Sequence, residues 1–413
     1  MDTLIREKYD AIIIGAGPAG MMAAITAAKN GRKTLLLEKM PQPGKKILIS
    51  GKGRCNLTNA GGIDKFLKKF SKSGVFLRNA FARFFNSNLC AFFEESGCKL
   101  KTERGERIFP LSDKSSDILN VLIKKIKDCG VQIKYNEEAA GIDADKKCVI
   151  TKSGGRYFAP KIVIATGGLS YPAIGSTGFG FEIARKLGHT VVAPKPGLVS
   201  VFTKSSAPKK LAGLSLENVR CAVYCDGKII EERLGDMIFT HFGLSGPIIL
   251  DLSAVIYDLL EAGERVFVSI NLKPGLDPKK LDARLQREFL GSPSKSLKNI
   301  FAGLLPQGLI YEFLKYCAVS ESKKANQITK EERKKLADCL FDFRFEITGT
   351  KPVEDAIITR GGVLTKEIDP KAMESKLIKG VYFIGEVIDI DAKTGGYNMQ
   401  AAFSTGYACG ENL

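Results

Sequence analysis

Histidine and tryptophan are nearly absent from this chain of 413 residues, which has two histidines and no tryptophan. Its ten cysteines are scattered without a CxxC pair, and the closest two, Cys221 and Cys225, lie four positions apart. Zinc sites need clustered cysteine and histidine ligands. The sequence therefore predicts no metal site, and it is typical of a protein whose thiols stay reduced in the cytoplasm.

Long apolar runs are also missing. No stretch of about 18 residues is free of glycine, proline and charge, so no membrane span is predicted. The first ten residues, MDTLIREKYD, carry both signs of charge and lack the apolar centre of a signal peptide. We therefore expect a cytoplasmic protein with no membrane partner.

Acidic residues are too few to balance the basic ones. The chain has 62 Lys and Arg against 45 Asp and Glu, which gives a net charge of +17 and a pI near 9.3. Two segments concentrate the excess: residues 44–109 hold 14 basic and 5 acidic residues, and residues 272–340 hold 14 and 8. Such a field favours a polyanionic partner, such as nucleic acid or a membrane surface. The alternative is a lysine-rich surface that is only solvated.

A nucleotide-binding turn is present near the start of the chain. Residues 9–15 (YDAIIIG) form an apolar run typical of a buried parallel strand, and GAGPAG then opens a helix. Gly15 permits the tight turn, Gly17 lets a pyrophosphate approach the backbone, and Gly20 lets the helix pack on the strand. Glu38 ends the next strand, 18 residues after Gly20. A carboxylate there is placed to accept ribose hydroxyls.

FAD and NAD both fit this turn, and the C-terminal part of the chain separates them. Residues 380–391 (GVYFIGEVIDID) predict a strand ending at Gly385 and Glu386, where flavoproteins place an acid for the ribityl chain. Residues 395–400 (GGYNMQ) then open a helix whose N-terminus would stabilise a reduced, anionic flavin. KIVIATGG (161–168) adds a strand and turn usual in flavoproteins. We therefore predict FAD.

A second dinucleotide domain is not predicted. Gly178-Phe179-Gly180 follows no strand, so we interpret it as a turn packed near the flavin. A nicotinamide donor, NAD(P)H, would then bind only transiently.

The order of elements predicts an α/β fold with two inserts. Further apolar strands occur at 131–135, 148–151, 161–165 and 381–384, and short antiparallel strands at 199–203, 219–225, 229–232 and 266–272. Asp226-Gly227 predicts a hairpin, and residues 278–339 predict several helices. The predicted domains are a Rossmann-like FAD-binding domain (1–194 and 353–413), a β-rich insert (195–272 and 341–352) and a helical insert (273–340).

Residues 44–59 (GKKILISGKGRCNLTN) are the most informative stretch. They put four cations, three glycines, one thiol and two amides into one loop after the nucleotide-binding turn. GKGRCNLTN, FTHFGLSGP (239–247), ITRGGV (358–363) and GEVIDIDAKTGGYNMQAAFSTG (385–406) together resemble the BaiN/RdsA family of FAD-dependent oxidoreductases. Ala392 departs from the glycine usual in that family. The resemblance covers essentially the whole chain.

The resemblance implies bound FAD, a split FAD domain of the two-dinucleotide-binding-domain flavoprotein type, an inserted β-barrel-like domain and a helical domain. Branches of the family resemble enone reductases of steroids, a synthase that makes dihydrouridine in large-subunit ribosomal RNA, and an aminoacetone oxidase. The first two imply hydride transfer from flavin to a C=C bond conjugated to a carbonyl, followed by protonation by a general acid. The charge excess favours ribosomal RNA or a large-subunit assembly intermediate as partner. A small-molecule ene-reductase or oxidase, and a flavin-bound RNA-binding protein without catalysis, remain the alternatives.

Three candidate catalytic residues follow. Cys55 lies in a cationic loop where its pKa could fall, and could donate the proton, although a packed structural thiol explains it as well. His241 could be an acid or a carbonyl donor, or a histidine bonded to backbone. Asn398 would face the substrate carbonyl. The expected cofactor-binding residues are Gly15, Gly17, Pro18, Ala19, Gly20, Glu38, Lys39, Lys46, Ser50, Gly51, Arg54, Cys55, Asn56, Thr166, Gly167, Gly385, Glu386, Gly395, Gly396, Tyr397, Asn398 and Gln400.

Overall fold

A computed structural model describes residues 8–71 and 73–413. The chain forms two compact units, one made of the chain up to Gly197 together with Val353–Leu413, and the other of Leu198–Pro352. Within the described ranges, no helix combines the length and apolar character needed to cross a membrane.

The first unit begins with eleven strands and seven α-helices in its N-terminal part. The strands are β1 Ala11–Ile14, β2 Thr34–Leu37, β3 Thr58–Asn59, β4 Leu100–Glu103, β5 Arg107–Pro110, β6 Gln132–Lys134, β7 Ala139–Asp143, β8 Cys148–Thr151, β9 Arg156–Phe158, β10 Lys161–Ile164 and β11 Val191–Gly197. The helices are α1 Pro18–Lys29, α2 Lys45–Ile49, α3 Ile63–Leu67, α4 Arg78–Arg83, α5 Asn86–Glu94, α6 Ser115–Asp128 and α7 Phe179–Lys186.

The second unit is a closed barrel with helices. Its strands are β12 Val201–Thr203, β13 Ser215–Cys225, β14 Lys228–Phe239, β15 Gly243–Ser245, β16 Val266–Asn271 and β17 Phe343–Thr350, and the barrel closes in the order β12-β15-β14-β13-β16-β17. Its helices are α8 Ala207–Lys210, α9 Pro247–Glu261, α10 Pro278–Gly291, α11 Leu297–Phe301, α12 Gln307–Tyr316 and α13 Lys330–Phe341.

The chain then returns to the first unit with β18 Ile358–Val363, β19 Val381–Phe383 and α14 Tyr397–Glu411. A five-stranded sheet runs in the order β19-β10-β1-β2-β6, and all its pairs are parallel. Every residue of β1 and β2 is buried, as expected for strands covered on both faces. The predicted Rossmann-like sheet is confirmed.

The barrel and the helices that follow it share one hydrophobic core. Val268 of β16, Leu285 of α10 and Phe313 of α12 belong to the same buried cluster. The barrel insert is confirmed, and the separate helical domain stays a prediction.

The hairpin at Asp226-Gly227 is confirmed, because Cys225 pairs with Lys228 and both turn residues have positive φ. The strand after it is longer than predicted. β14 continues to Phe239 because pairing with β13 resumes after each bulge.

Candidate cofactor site

The nucleotide-binding turn joins β1 to α1 at close range. A Cβ on Gly15 would lie 2.6 Å from the Ala165 carbonyl oxygen, and Gly15 has a φ of 104°. A Cβ on Gly20 would lie 2.0 Å from the Gly15 carbonyl oxygen. Only glycine therefore fits at these two positions, and the first turn of α1 is held against the carboxyl ends of β1 and β10.

Gly17 differs, because an added Cβ there would meet no atom within 4 Å. It is the N-cap of α1, Pro18 follows inside the helix, and no side chain of the described residues caps the helix. The first N–H groups of this 12-residue helix are therefore available to an anion. Ala19 and Gly20 are buried behind them. This arrangement fits a pyrophosphate.

Glu38 is held in place by backbone donors. Its carboxylate accepts hydrogen bonds from the Ala16 and Met40 N–H groups, each at 2.8 Å. Burial raises the pKa of Glu38 above its ordinary value. Each oxygen keeps a lone pair for a ribose hydroxyl. Lys39, beside it, donates to the Thr177 hydroxyl at 2.9 Å, and burial lowers its pKa.

Lys46 and Glu386 form an ion pair that joins α2 to the turn after β19. The Lys46 Nζ lies 2.5 Å from a Glu386 oxygen and 2.6 Å from the Ser170 hydroxyl. The other Glu386 oxygen accepts from the Thr359 N–H at 2.6 Å and from Ser170 at 3.2 Å. Ser170 and Thr359 were not among the predicted site residues, although Thr359 lies in the ITRGGV motif. Three separate motifs and Ser170 thus meet at one carboxylate.

Thr166 and Gly167 form the turn after β10. No hydrogen-bond partner for the buried Thr166 hydroxyl exists in the part of the chain that the structure describes. This hydroxyl faces α7, because a Cβ on Gly180 would lie 2.2 Å from its oxygen. Gly167 has a φ of 72° and Gly385 one of 71°, and a Cβ on Gly385 would lie 2.9 Å from Ala19. The two turns therefore also depend on glycine.

The loop of residues 44–59 packs closely against the start of α14. Gly396 has a φ of 94°, and a Cβ there would lie 2.4 Å from the Thr58 carbonyl oxygen. When the Asn56 side-chain amide is oriented so that its nitrogen faces an acceptor and its oxygen faces a donor, it donates to the Thr58 carbonyl and accepts from the Gly396 N–H. Both distances are 3.1 Å. Gly395, with a φ of 126°, precedes it. Asn56 thus orders the N-terminus of α14 through backbone contacts.

Three side chains of this helix are predicted to face the ligand, and in the structure each of them contacts other parts of the protein. Tyr397 is buried edge-on against Phe66, with ring centroids 4.7 Å apart. Gln400 is fully buried and bonds to the Thr58 hydroxyl at 2.6 Å. Asn398 uses both ends of its amide on the backbone of Ala392, at 2.8 and 2.9 Å. These side chains hold the loop and helix together, and the catalytic role of Asn398 stays a prediction.

Two residues of the loop are also placed differently from expectation. The Arg54 guanidinium pairs with Glu103 and Asp113 and stacks 4.3 Å from the Phe109 ring, so it faces the β4–β5 hairpin. The predicted fall in the pKa of Cys55 is wrong. The Cys55 side chain is fully enclosed by protein, and burial raises the pKa of its thiol to about 12. Burial therefore affects the pKa of this thiol more than the positive charges of the loop do.

The remaining loop residues shape the backbone. The Ser50 hydroxyl donates to the Ile47 carbonyl at 2.7 Å, and Gly51 has a φ of 58°. A Cβ on Gly51 would lie 2.8 Å from the Asn56 amide nitrogen. The loop is therefore a fixed turn.

His241 belongs to the second unit. It is exposed in the turn between β14 and β15, and its ring lies edge-on to Phe242 with centroids 4.8 Å apart. Its catalytic role stays a prediction.

Taken together, these groups fit FAD. Uncapped N–H groups at α1 suit the pyrophosphate, Glu38 suits the adenosine ribose, and Glu386 suits the flavin side. Helix α14 also begins without a side-chain cap from the described residues, and it follows Gly396 within the same unit.

Comparison with known families gives a match over nearly the whole chain. Residues 9–412 match the HI0933-like protein Rossmann domain. The chain is 34% identical to the ribosomal RNA dihydrouridine synthase of Escherichia coli, over 98% of both chains. It is 33% identical to the enzyme of that name from Haemophilus influenzae, over 96% of both.

A relative with a different activity is nearly as similar. The 3-dehydro-bile acid delta(4,6)-reductase of Clostridium scindens is 29% identical, over 96% of this chain and 97% of its own. Among solved structures, the 3-ketosteroid delta1-dehydrogenase of Sterolibacterium denitrificans matches 98% of this chain and 99% of its own with a TM-score of 0.50 and 14% identity. That structural match shows a shared fold alone.

Proposed function

The chain belongs to the HI0933-like protein Rossmann domain family, and from this premise we propose that it is an FAD-dependent oxidoreductase. Its proposed reaction is reduction of a C=C bond conjugated to a carbonyl, with NAD(P)H as electron donor. The proposed substrate is a uridine of large-subunit ribosomal RNA, which becomes dihydrouridine in the cytoplasm.

When bound, FAD supplies hydride transfer to the β carbon of the conjugated bond, which is C6 of uracil. The chain's own residues would hold and orient it. The first turn of α1 would bind the pyrophosphate, and Glu38 would accept from the ribose. Glu386, fixed by Lys46 and Thr359, would support the ribityl chain. The positive end of α14 favours negative charge on a group bound beside it.

Protonation of the α carbon calls for a general acid. The Cys55 thiol is enclosed by protein, so it is not placed to deliver a proton, and the Asn398 amide bonds to the backbone of Ala392. His241 is exposed, and it remains the catalytic candidate. A His241→Gln protein that keeps FAD but loses RNA reduction would support this role.

The uncompensated positive charge is the observation that carries the choice of RNA. Of the net charge of +17, most falls in the two basic segments at 44–109 and 272–340. A positive field adds no binding affinity for a neutral steroid, whereas each contact with an RNA phosphate adds affinity. A uridine must also be splayed out of its helix to be reduced, and backbone contacts can hold the strand open.

A second candidate is a small-molecule ene-reductase, because the bile acid reductase matches the chain over nearly its full length. It predicts turnover without RNA and little dependence of substrate binding on salt. Both candidates share the cofactor site described above.

The deciding experiment offers three substrates to the reduced protein without oxygen. These are deproteinised large-subunit ribosomal RNA from a deletion strain, free uridine and a conjugated 3-oxosteroid. Flavin reoxidation by RNA alone, with dihydrouridine appearing in the RNA, is expected. Reoxidation by the steroid alone selects the second candidate. RNA binding without any reoxidation means that the protein binds RNA without reducing it.

A further inference from the structure

We propose that two short segments of the second unit, one of which includes the start of α11, form a docking ridge for the phosphate backbone of the RNA substrate. The lysine ridge consists of residues 292–300 and 320–325. This inference rests on the proposed function for the identity of its partner, and it adds where on the chain the polyanion is held.

Backbone hydrogen bonds join the two segments of the ridge. Leu297 N–H donates to the Lys323 carbonyl at 2.9 Å, and Ala325 N–H donates to the Lys295 carbonyl at 3.0 Å. Ser296 and Lys324 face one another across this antiparallel bridge. In such a pair the two side chains project to the same side. The ridge is therefore a short, fixed ladder.

One side of the ladder is anchored in the core. Leu297 is fully buried and Ala325 nearly so, and both belong to the hydrophobic cluster of the second unit. Lys295, Lys298 and Lys324 are exposed. The positions of these lysines are thus fixed before a ligand arrives, which lowers the entropic cost of binding.

The charge of the ridge is not neutralised by its neighbours. Its two segments contain four lysines and one acid, Glu321. Lys323 is used internally, in an ion pair with Glu332 at 2.6 Å. Among the residues that the structure describes, the three exposed lysines form no ion pair. The same two segments also contain five serines. Ammonium and hydroxyl groups together are typical phosphate contacts.

The whole basic segment at 272–340 also has more basic than acidic residues. Five of its eight acids are already in ion pairs: Asp277, Asp282, Glu288, Glu312 and Glu332. Ten of its 14 basic residues have no such partner within the described ranges. Four of these ion pairs each remove one base of the segment together with one acid, so the positive excess of this segment is carried by its unpaired lysines and arginines. In the ridge, the backbone that carries such lysines is also held in place by hydrogen bonds.

The test replaces Lys295, Lys298 and Lys324 together by alanine in the full-length, FAD-loaded protein. Binding of deproteinised large-subunit ribosomal RNA is measured over a series of salt concentrations. Each phosphate contact with a single strand contributes about 0.7 to the salt slope, so the slope should fall by about 2. Binding at about 0.1 M salt should weaken by roughly 10- to 100-fold. A variant with arginine at all three positions should bind the RNA as tightly as the wild type does.

A matched control removes the same charge elsewhere. Lys279, Lys315 and Lys334 are exposed, lie on three different helices of the same unit and take part in no ion pair of the described chain. Their triple alanine variant should keep the slope within about 1 unit of the wild type. Equal losses in both variants would show a general field rather than a ridge and overturn the proposal, as would an unchanged ridge variant.

Failure of the proposed function gives a different pattern. If wild-type protein binds RNA through the ridge but never reduces it, the docking surface stands and the reaction falls. Thermal unfolding and FAD absorbance of each variant, both expected to match the wild type, show that any loss lies in RNA binding.

Discussion

Gly17 and Gly20 lie three residues apart in one turn, yet the structure assigns them opposite roles. A Cβ on Gly17 meets only open space, whereas a Cβ on Gly20 would lie 2.0 Å from the Gly15 carbonyl oxygen. We therefore predict that Gly17→Ala damages FAD binding alone, and that Gly20→Ala damages folding.

The size of each effect follows from these contacts. For Gly20→Ala, α1 must move away from the strand by about 1.4 Å to reach an ordinary contact distance, and overpacking of this kind costs about 1–3 kcal/mol. Gly17 has a φ of −80°, which alanine adopts freely, so the free energy of unfolding should change by less than about 1 kcal/mol. Its methyl group would displace the pyrophosphate from charge-assisted hydrogen bonds worth about 1.5–3 kcal/mol each. One such loss weakens FAD binding by roughly 10- to 100-fold.

Two measurements separate these outcomes. Denaturant unfolding of the FAD-free proteins gives the stability of each variant, and quenching of FAD fluorescence on titration gives affinity. A Gly17→Ala protein that binds FAD as tightly as the wild type would contradict the role assigned to Gly17. An FAD-free Gly20→Ala protein that unfolds at the wild-type denaturant concentration would contradict the role assigned to Gly20.

Three further predictions concern buried polar groups. Because protein atoms enclose Cys55 and its pKa is raised to about 12, an alkylating reagent should label it only after unfolding, and Cys55→Ala should keep its activity; rapid labelling of the folded protein would contradict this. Burial lowers the pKa of His189 below 6.5, so the unfolded chain binds its proton more readily and stability should fall as the pH drops through about 6.5. Unfolding at a series of pH values should show a smaller fall in His189→Gln, despite the contact of His189 with Glu367. Lys46→Met should lower the free energy of unfolding by about 1–2 kcal/mol, because it leaves the Glu386 carboxylate without its cation. Adding Glu386→Gln should restore part of that loss, and strict additivity of the two changes in a double-mutant cycle would refute the coupling.

Much of the first unit could be predicted because its signals are local. The apolar run at β1 is followed directly by the glycines of the turn, and the acid after β2 comes only 18 residues after the last of them. The Asp226-Gly227 hairpin was equally local, since both residues must adopt positive φ.

The site's side-chain roles could not be predicted in this way because they depend on distant partners. Arg54 pairs with Glu103 and Asp113, and Gln400 reaches Thr58, contacts that no spacing in the sequence indicates. For Cys55, the nearby cations of the loop suggested a low pKa, but desolvation by the core is the larger effect. A cationic sequence context therefore says little about a thiol until its burial is known.

The split first unit has a consequence for synthesis of the chain. β10 at Lys161–Ile164 pairs with β19 at Val381–Phe383, and Gly406 of α14 packs against the Ala19 carbonyl. At about 5–20 residues per second, the ribosome needs roughly 10–40 s to make the intervening sequence. During that interval one edge of the parallel sheet stays unpaired while the barrel can already fold. The cofactor turn is thus among the first parts made, and among the last to be completed.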